Sequence, residues 1–270
     1  MSEHGDAMAV GEDAGAARVL VITVGPPCAG KSTVLAKREP APLDVCIDDS
    51  PGLYARIPWA DLPATSQAAI VRAAALLEGG SNDRDDDEED ALAARLEATV
   101  AIRDDSERRA CARALARAIG YVRRKYPRLA EQEARLASEA QVLQTRLMRK
   151  AVAWAQTALG EAMAAGVPLV AWGNTNTKMP AIAHAVALAD EHGYAIEVVN
   201  MTDVDFDELV KRSVLRMLKT GKVVPVEAIY KSAVAAQRSL VETGLVFDAA
   251  ALAEAARASV AGSSRSGARR

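Results

Sequence analysis

The chain is poor in the residues that usually carry redox, metal or aromatic chemistry. Its 270 residues include three cysteines, three histidines, two phenylalanines, three tryptophans and five tyrosines. Cys28, Cys46 and Cys111 are scattered without Cys-x-x-Cys spacing, which argues against a disulfide framework and for a reducing compartment. His4, His184 and His192 do not cluster along the sequence, so neither a zinc site nor histidine catalysis is expected. No apolar run approaches the ~20 residues of a membrane span, and the N-terminus carries no basic stretch followed by an apolar one. The expectation is a cytoplasmic protein with no membrane partner. An excess of one charge is lacking too: 33 Lys and Arg stand against 36 Asp and Glu. That balance argues against generalised binding to nucleic acid, while leaving room for a local basic groove.

Half of the residues are apolar, enough to bury a sizeable core in one domain with an added helical subdomain. Residues 1–16 have no periodicity and residues 261–270 have no apolar anchor, so both ends are expected to be disordered around a domain spanning 17–260. Within that domain, Gly25-Pro26-Pro27-Cys28-Ala29-Gly30-Lys31-Ser32 fits the phosphate-binding pattern G-x-x-x-x-G-K-[ST]. It follows the apolar run Val19–Val24, and Thr33 opens a helix-compatible stretch after it. A strand must deliver such a loop so that backbone N–H groups curl around phosphate oxygens, and Gly25 and Gly30 permit the curl. Lys31 can then reach the phosphates as a point charge, and the Ser32 hydroxyl can ligate Mg²⁺. Cys28 reads as a small filler residue, with sensitivity to alkylation as the alternative.

A second strand, Leu43–Ile47, ends in Asp48-Asp49 and puts two carboxylates at the sheet's carboxyl edge, where ligands of open α/β folds bind. Asp49 is the favoured base for an attacking hydroxyl, and Asp48 caps the following turn or approaches a metal. Further strands are expected at Pro168–Trp172 and Ala195–Val199, with a helix from Pro180 closed by His192-Gly193. Strands alternating with helices imply a parallel sheet with helices on both faces. Between the second and third strands lies a helical insertion, about 77–151. It carries an acidic loop at 79–90, a helical face marked by Leu129, Leu136 and Leu143, and a helix break at Pro127. Its Arg123-Arg124-Lys125 cluster, flanked by Tyr121 and Tyr126, is either a basic surface for a phosphorylated substrate or a solvated helix end. Near the C-terminus Arg212 and Arg216 sit at i and i+4 on one helix before Gly221, which suits a lid that clamps a transferring phosphoryl group.

Phosphate loop, Asp after the second strand, Gly173-Asn174-Thr175-Asn176 after an apolar strand, Gly193-Tyr194 after a helix, and Arg-x-x-x-Arg before Gly221-Lys222-Val223-Val224-Pro225 together resemble the zeta-toxin-type kinases and their polynucleotide-kinase-like relatives. The resemblance covers roughly 17–54 and 166–240. It implies a P-loop NTPase kinase fold, ATP as phosphate donor and Mg²⁺ as cofactor. Carried over by motif position, Gly25, Pro26, Pro27, Cys28, Ala29, Gly30, Lys31, Ser32 and Thr33 hold the nucleotide, Ser32 the metal, Asp49 is the base, and Arg212 and Arg216 form the lid with Lys222 added. Two positions depart from the family. Gly173 stands where an acid is typical, leaving Asp48 as its substitute at the metal, and no basic residue follows Asp49 before Arg56. The implied activity is phosphoryl transfer to a small hydroxyl-bearing acceptor, with a nucleotide sugar such as UDP-N-acetylglucosamine as first guess. The alternatives are a 5′-hydroxyl polynucleotide kinase, or a nucleotide-binding protein without catalysis whose helical insertion contacts a protein partner. An Asn-Lys-x-Asp guanine motif is absent.

Overall fold

The computed structural model describes residues 17–55, 59–62, 64, 67, 86–127 and 141–267. The expected N-terminal disorder over 1–16, the acidic stretch 79–85, the start of the insertion at 77, Arg56, Leu129, Leu136 and residues 268–270 lie outside the described residues.

The described elements are β1 (Val19–Val24), α1 (Lys31–Ala36), β2 (Leu43–Val45), β3 (Tyr54–Ala55), α2 (Asp86–Glu97), α3 (Asp105–Lys125), β4 (Gln141–Leu143), α4 (Met148–Ala164), β5 (Leu169–Trp172), α5 (Met179–His192), β6 (Ala195–Asn200), α6 (Phe206–Thr220), β7 (Lys222–Val223), α7 (Val226–Ala236) and α8 (Ala249–Gly267). Strands β2, β5, β1 and β6 form, in that order, an all-parallel sheet. β1 is central and buried on both faces, which is why it reads as an unbroken apolar run. Alternation along the strands divides the core. Leu20, Ile22, Val24, Val170 and Trp172 pack with Leu159 and Met163 of α4, Ile182 of α5 and Leu252 of α8. Val21 and Ala171 face the other way, onto Leu35 of α1. The protein is thus an α/β structure with a parallel four-stranded sheet flanked by helices. Among the described residues no helix is long and apolar enough to cross a membrane.

A second apolar cluster stands apart from the sheet. It joins Leu92 and Leu96 of α2, Cys111, Leu115, Ile119 and Val122 of α3, and Val210, Val214 and Leu218 of α6. Strands β3, β4 and β7 form, in that order, a second small sheet.

Four boundaries differ from expectation. Leu143 belongs to strand β4 rather than to a helical face: Gln141 N donates to Gly221 O at 2.7 Å, and β4 pairs with β3 on its other side. Spacing of seven residues fits a helix, but backbone groups taken by neighbouring strands decide the matter. Asp86–Asp90 open α2 instead of ending a loop, because carboxylates are favourable at a helix N-terminus. Helix α8 runs on to Gly267, past the expected order boundary at 260, since each residue added to a formed helix gains a hydrogen bond without a new nucleation cost. Strand β2 stops at Val45, and Ile47–Asp49 form a 3₁₀ turn. α3 ends at Lys125, as Pro127 requires.

Candidate functional site

The Gly25–Ser32 loop leaves β1 between the ends of its two neighbours. Gly25 N donates to Thr175 O at 2.9 Å after β5, and Met201 N donates to Val24 O at 2.7 Å after β6. The two glycines of the motif serve different needs. Gly25 is a matter of room, because a Cβ there would lie 2.6 Å from Met201 O. Gly30 is a matter of backbone, with φ at +99°. Cys28 also sits at positive φ, +66°, where a residue with a Cβ pays on the order of 1 kcal/mol. α1 begins at Lys31, two residues before the expected Thr33.

Three cations from two distant segments, α1 and α6, meet over this loop. Lys31 is only 9 % exposed, and its Nζ donates to Gly25 O at 3.1 Å and Pro26 O at 2.7 Å. Burial drives its pKa down to about 8. Arg212 donates from Nη1 to Ala29 O at 3.1 Å, and from Nε to Glu208 at 3.0 Å. Arg216 donates from Nη2 to Asp48 Oδ2 at 2.9 Å, while the Tyr54 hydroxyl donates to Asp48 Oδ1 at 3.2 Å. Helix α6 presents these arginines because its opposite face is anchored: Val210, Val214 and Leu218 sink into the α2–α3 cluster, and Leu209 packs with Ala29 and Ile229. Its start is capped by Asp205, which accepts from Asp207 N at 2.8 Å, and Arg117 of α3 grips Asp207 through two hydrogen bonds of 2.8 and 3.0 Å.

The result is a cleft of about 660 Å³. Lys31, Ser32, Thr33, Asp48, Arg212 and Arg216 line its polar side, and Leu143, Met148, Val223, Val224 and Pro225 its apolar side. Three cations beside one carboxylate suit a polyanionic ligand whose charge shifts during reaction. No family model, curated protein or solved structure matches this chain.

Among the expected site residues, Lys31, Ser32, Thr33, Asp48, Arg212 and Arg216 come together, and Pro27, Cys28 and Gly30 line the same cleft. Asp49 does not: it is exposed and outside the lining, because in a 3₁₀ turn consecutive side chains diverge and Asp48 takes the inward direction. Asp48, expected near a metal, accepts one hydrogen bond at each oxygen, from Arg216 and from Tyr54. Lys222 stands off the cleft, its Nζ 4.7 Å from the centre of the Tyr54 ring. Arg123, Arg124 and Lys125 line no part of it, and Lys125 donates to the Tyr121 hydroxyl at 2.8 Å. Burial holds the Cys28 thiol above its usual range and pushes Cys46 up to about 12, which makes both poor thiolates and weighs against the alkylation alternative.

Sequence reasoning missed Tyr54, Asn174 and Asp44. Asn174 is 7 % exposed and its Oδ1 accepts from Ile47 N at 2.8 Å. Asp44 sits on β2, where burial first, then the charge of Asp49, raise its pKa to about 6 against the opposing effect of Lys31. A lone acid inside a short apolar strand was the available signal. Among the described residues no group of three or more His, Cys, Asp or Glu is placed to hold a metal ion.

Proposed function

We propose that the protein is an ATP- and Mg²⁺-dependent phosphotransferase acting on a small hydroxyl-bearing acceptor, built on a P-loop kinase fold of the zeta-toxin type. The observation that carries this is the convergence of Lys31, Arg212 and Arg216 on one cleft beside Asp48. A phosphate loop alone would support nucleotide binding. Two further arginines on a separate helix, facing the loop, support transfer, because phosphoryl transfer asks mainly for positioning and charge neutralisation.

In this reading Lys31 exchanges two loop carbonyls for anionic phosphate oxygens, which are stronger acceptors. Arg212 and Arg216 neutralise the transferring group from the α6 side. Arg216 leaves Asp48 as it does so, and Asp48, not Asp49, is then free to accept the proton of the acceptor hydroxyl. Mg²⁺, when bound with the nucleotide, would supply positive charge against the phosphates. The residues fit it: Ser32 offers an exposed hydroxyl in the cleft, and the buried Oδ1 of Asp44 has no hydrogen-bond partner. The apolar wall and the cleft volume suit a small molecule such as a nucleotide sugar. Since the Arg123–Lys125 cluster lies off the cleft, a strand-tracking groove for a polynucleotide gains no support.

The test is transfer of labelled γ-phosphate from ATP with Mg²⁺ to UDP-N-acetylglucosamine, nucleosides and 5′-hydroxyl oligonucleotides, comparing wild type with Lys31→Ala. Lys31-dependent label on a small acceptor is the expected result. Tight ATP binding with neither labelled acceptor nor hydrolysis would leave a nucleotide-binding protein without catalysis.

A further inference from the structure

The position where an acid is absent, Gly173, is occupied in space by another residue's carboxylate. A Cβ built on Gly173 would lie 1.9 Å from Asp44 Oδ1, 2.7 Å from its Cγ and 2.9 Å from Oδ2. No side chain fits at 173 while Asp44 points where it does. The register explains the coincidence. β2 runs parallel to β5 with Asp44 opposite Ala171 and Val45 opposite Trp172, and Gly173 N donates to Val45 O at 3.1 Å. Val45 and Trp172 face the α4–α5–α8 core. By alternation Asp44 and Gly173 face the other side, where Leu35 of α1 packs and from which Lys31 and Ser32 reach the cleft.

Asp44 Oδ1 is buried and makes no hydrogen bond. A buried carboxylate oxygen without a partner is costly and rare, and it calls for a partner that is not part of the chain. Its neighbour repeats the pattern with opposite polarity. Asn174 lines the cleft at 7 % exposure, and with Oδ1 engaged by Ile47 N its Nδ2 is a buried donor with no acceptor. An acceptor and a donor, both orphaned, thus flank Gly173; Asn174 and Gly173 line the cleft, and Asp44 lies against Gly173 just behind that lining. An orphan acceptor suits a cation and its waters, and an orphan donor suits a phosphate oxygen. The want of a protein cluster of three metal-binding groups among the described residues is in keeping with this chemistry, because Mg²⁺ keeps several waters and takes substrate phosphates with only one or two carboxylates.

We infer that Asp44, reaching across from β2, supplies the carboxylate for the nucleotide-bound divalent cation, and that residue 173 is glycine to make room for it. This rests on the phosphotransferase reading above and names a metal-binding residue within it. Asp48 is then left to Arg216, Tyr54 and the proton of the acceptor, and the apparent loss of an acid at 173 is a relocation by one strand.

The test measures binding, not turnover. ATP affinity of the full chain is determined by calorimetry in EDTA and in Mg²⁺, and Mn²⁺ binding to the ATP-loaded protein by electron paramagnetic resonance. The proteins compared are wild type, the near-isosteric Asp44→Asn, and the double substitution Asp44→Ala with Gly173→Asp. Asp44→Asn is expected to leave affinity in EDTA nearly unchanged and to weaken Mn²⁺ binding about tenfold or more. The double substitution, which returns the carboxylate to β5, should recover most of that loss. Should Asp44→Asn bind Mn²⁺ as tightly as wild type, the inference is overturned, even if the double variant does not fold. If wild type binds no ATP in either condition, the phosphotransferase reading falls and this inference with it.

Discussion

The sheet half of the molecule reaches the cleft through its backbone, whereas the α2–α3–α6 half reaches it through long side chains. On the sheet side, Val24 and Gly25 are tied by main-chain hydrogen bonds to the segments that follow β6 and β5, and Lys31 folds back onto its own loop. On the helical side, Arg212 and Arg216 extend from a helix held by packing against α2, α3 and Ile229 and by the Arg117–Asp207 pair. The first arrangement is set by strand geometry and costs little to keep in register. The second depends on contacts between segments about 90 residues apart in sequence, as in the Arg117–Asp207 pair.

Removing an arginine is the hardest test of this division. Arg216→Ala should lower kcat for the transfer about 10³-fold while leaving ATP affinity close to wild type, read by steady-state kinetics beside a binding titration. A parallel collapse of affinity would mean that α6 belongs to the nucleotide site and not to the transfer step. Next in size are core truncations that separate the halves. Ile119→Ala in α3 and Met163→Ala in α4 should each cost roughly 3 kcal/mol in urea unfolding, because both side chains are fully buried. Only Ile119→Ala should also impair transfer beyond its stability loss, by loosening the support under α6. Equal kinetic damage from both would erase the contrast.

Lys31 sharpens the comparison from the sheet side. Its folded pKa of about 8 lies below the ordinary lysine value, so the folded chain holds fewer protons than the unfolded one between about pH 8 and 10.4. Nucleotide-free stability should therefore rise with pH across that window, by about 2 kcal/mol, and Lys31→Met should remove that rise in urea unfolding measured at pH 8 and pH 10. No change in slope would mean that Lys31 is hydrated in the free protein. The smallest effect belongs to Cys28. Because its φ of +66° suits glycine, Cys28→Gly should stabilise the protein by roughly 0.5–1 kcal/mol in thermal melts.

Much of the sheet half was legible in the sequence, since its signals are local. β1, β5 and β6 are apolar runs bounded by turn residues, and the loop's glycines and lysine fall at spacings the chemistry demands. The helical half was legible only in part. Arg212 and Arg216 were on one face by their spacing, but nothing in that spacing says which residue the second of them meets. The choice between Asp48 and Asp49 turned on two or three residues leaving the strand for a 3₁₀ turn, which no periodicity marks. Leu143 kept helical spacing and became part of a strand because β4 pairs with β3 at Leu143 and with β7 at Gln141 and Val142.

By itself the sequence determined the loop, the central strands, the paired arginines and the want of an acid at 173, because each depends on residue type at short range. The tertiary structure decided that Asp44 fills the space beside Gly173, that Asp48 faces inward to Arg216, and that α2 and α3 stand behind α6. Those outcomes rest on strand register and on apolar faces finding one another across long stretches of chain, and side-chain burial between distant segments leaves no local trace in the order of residues.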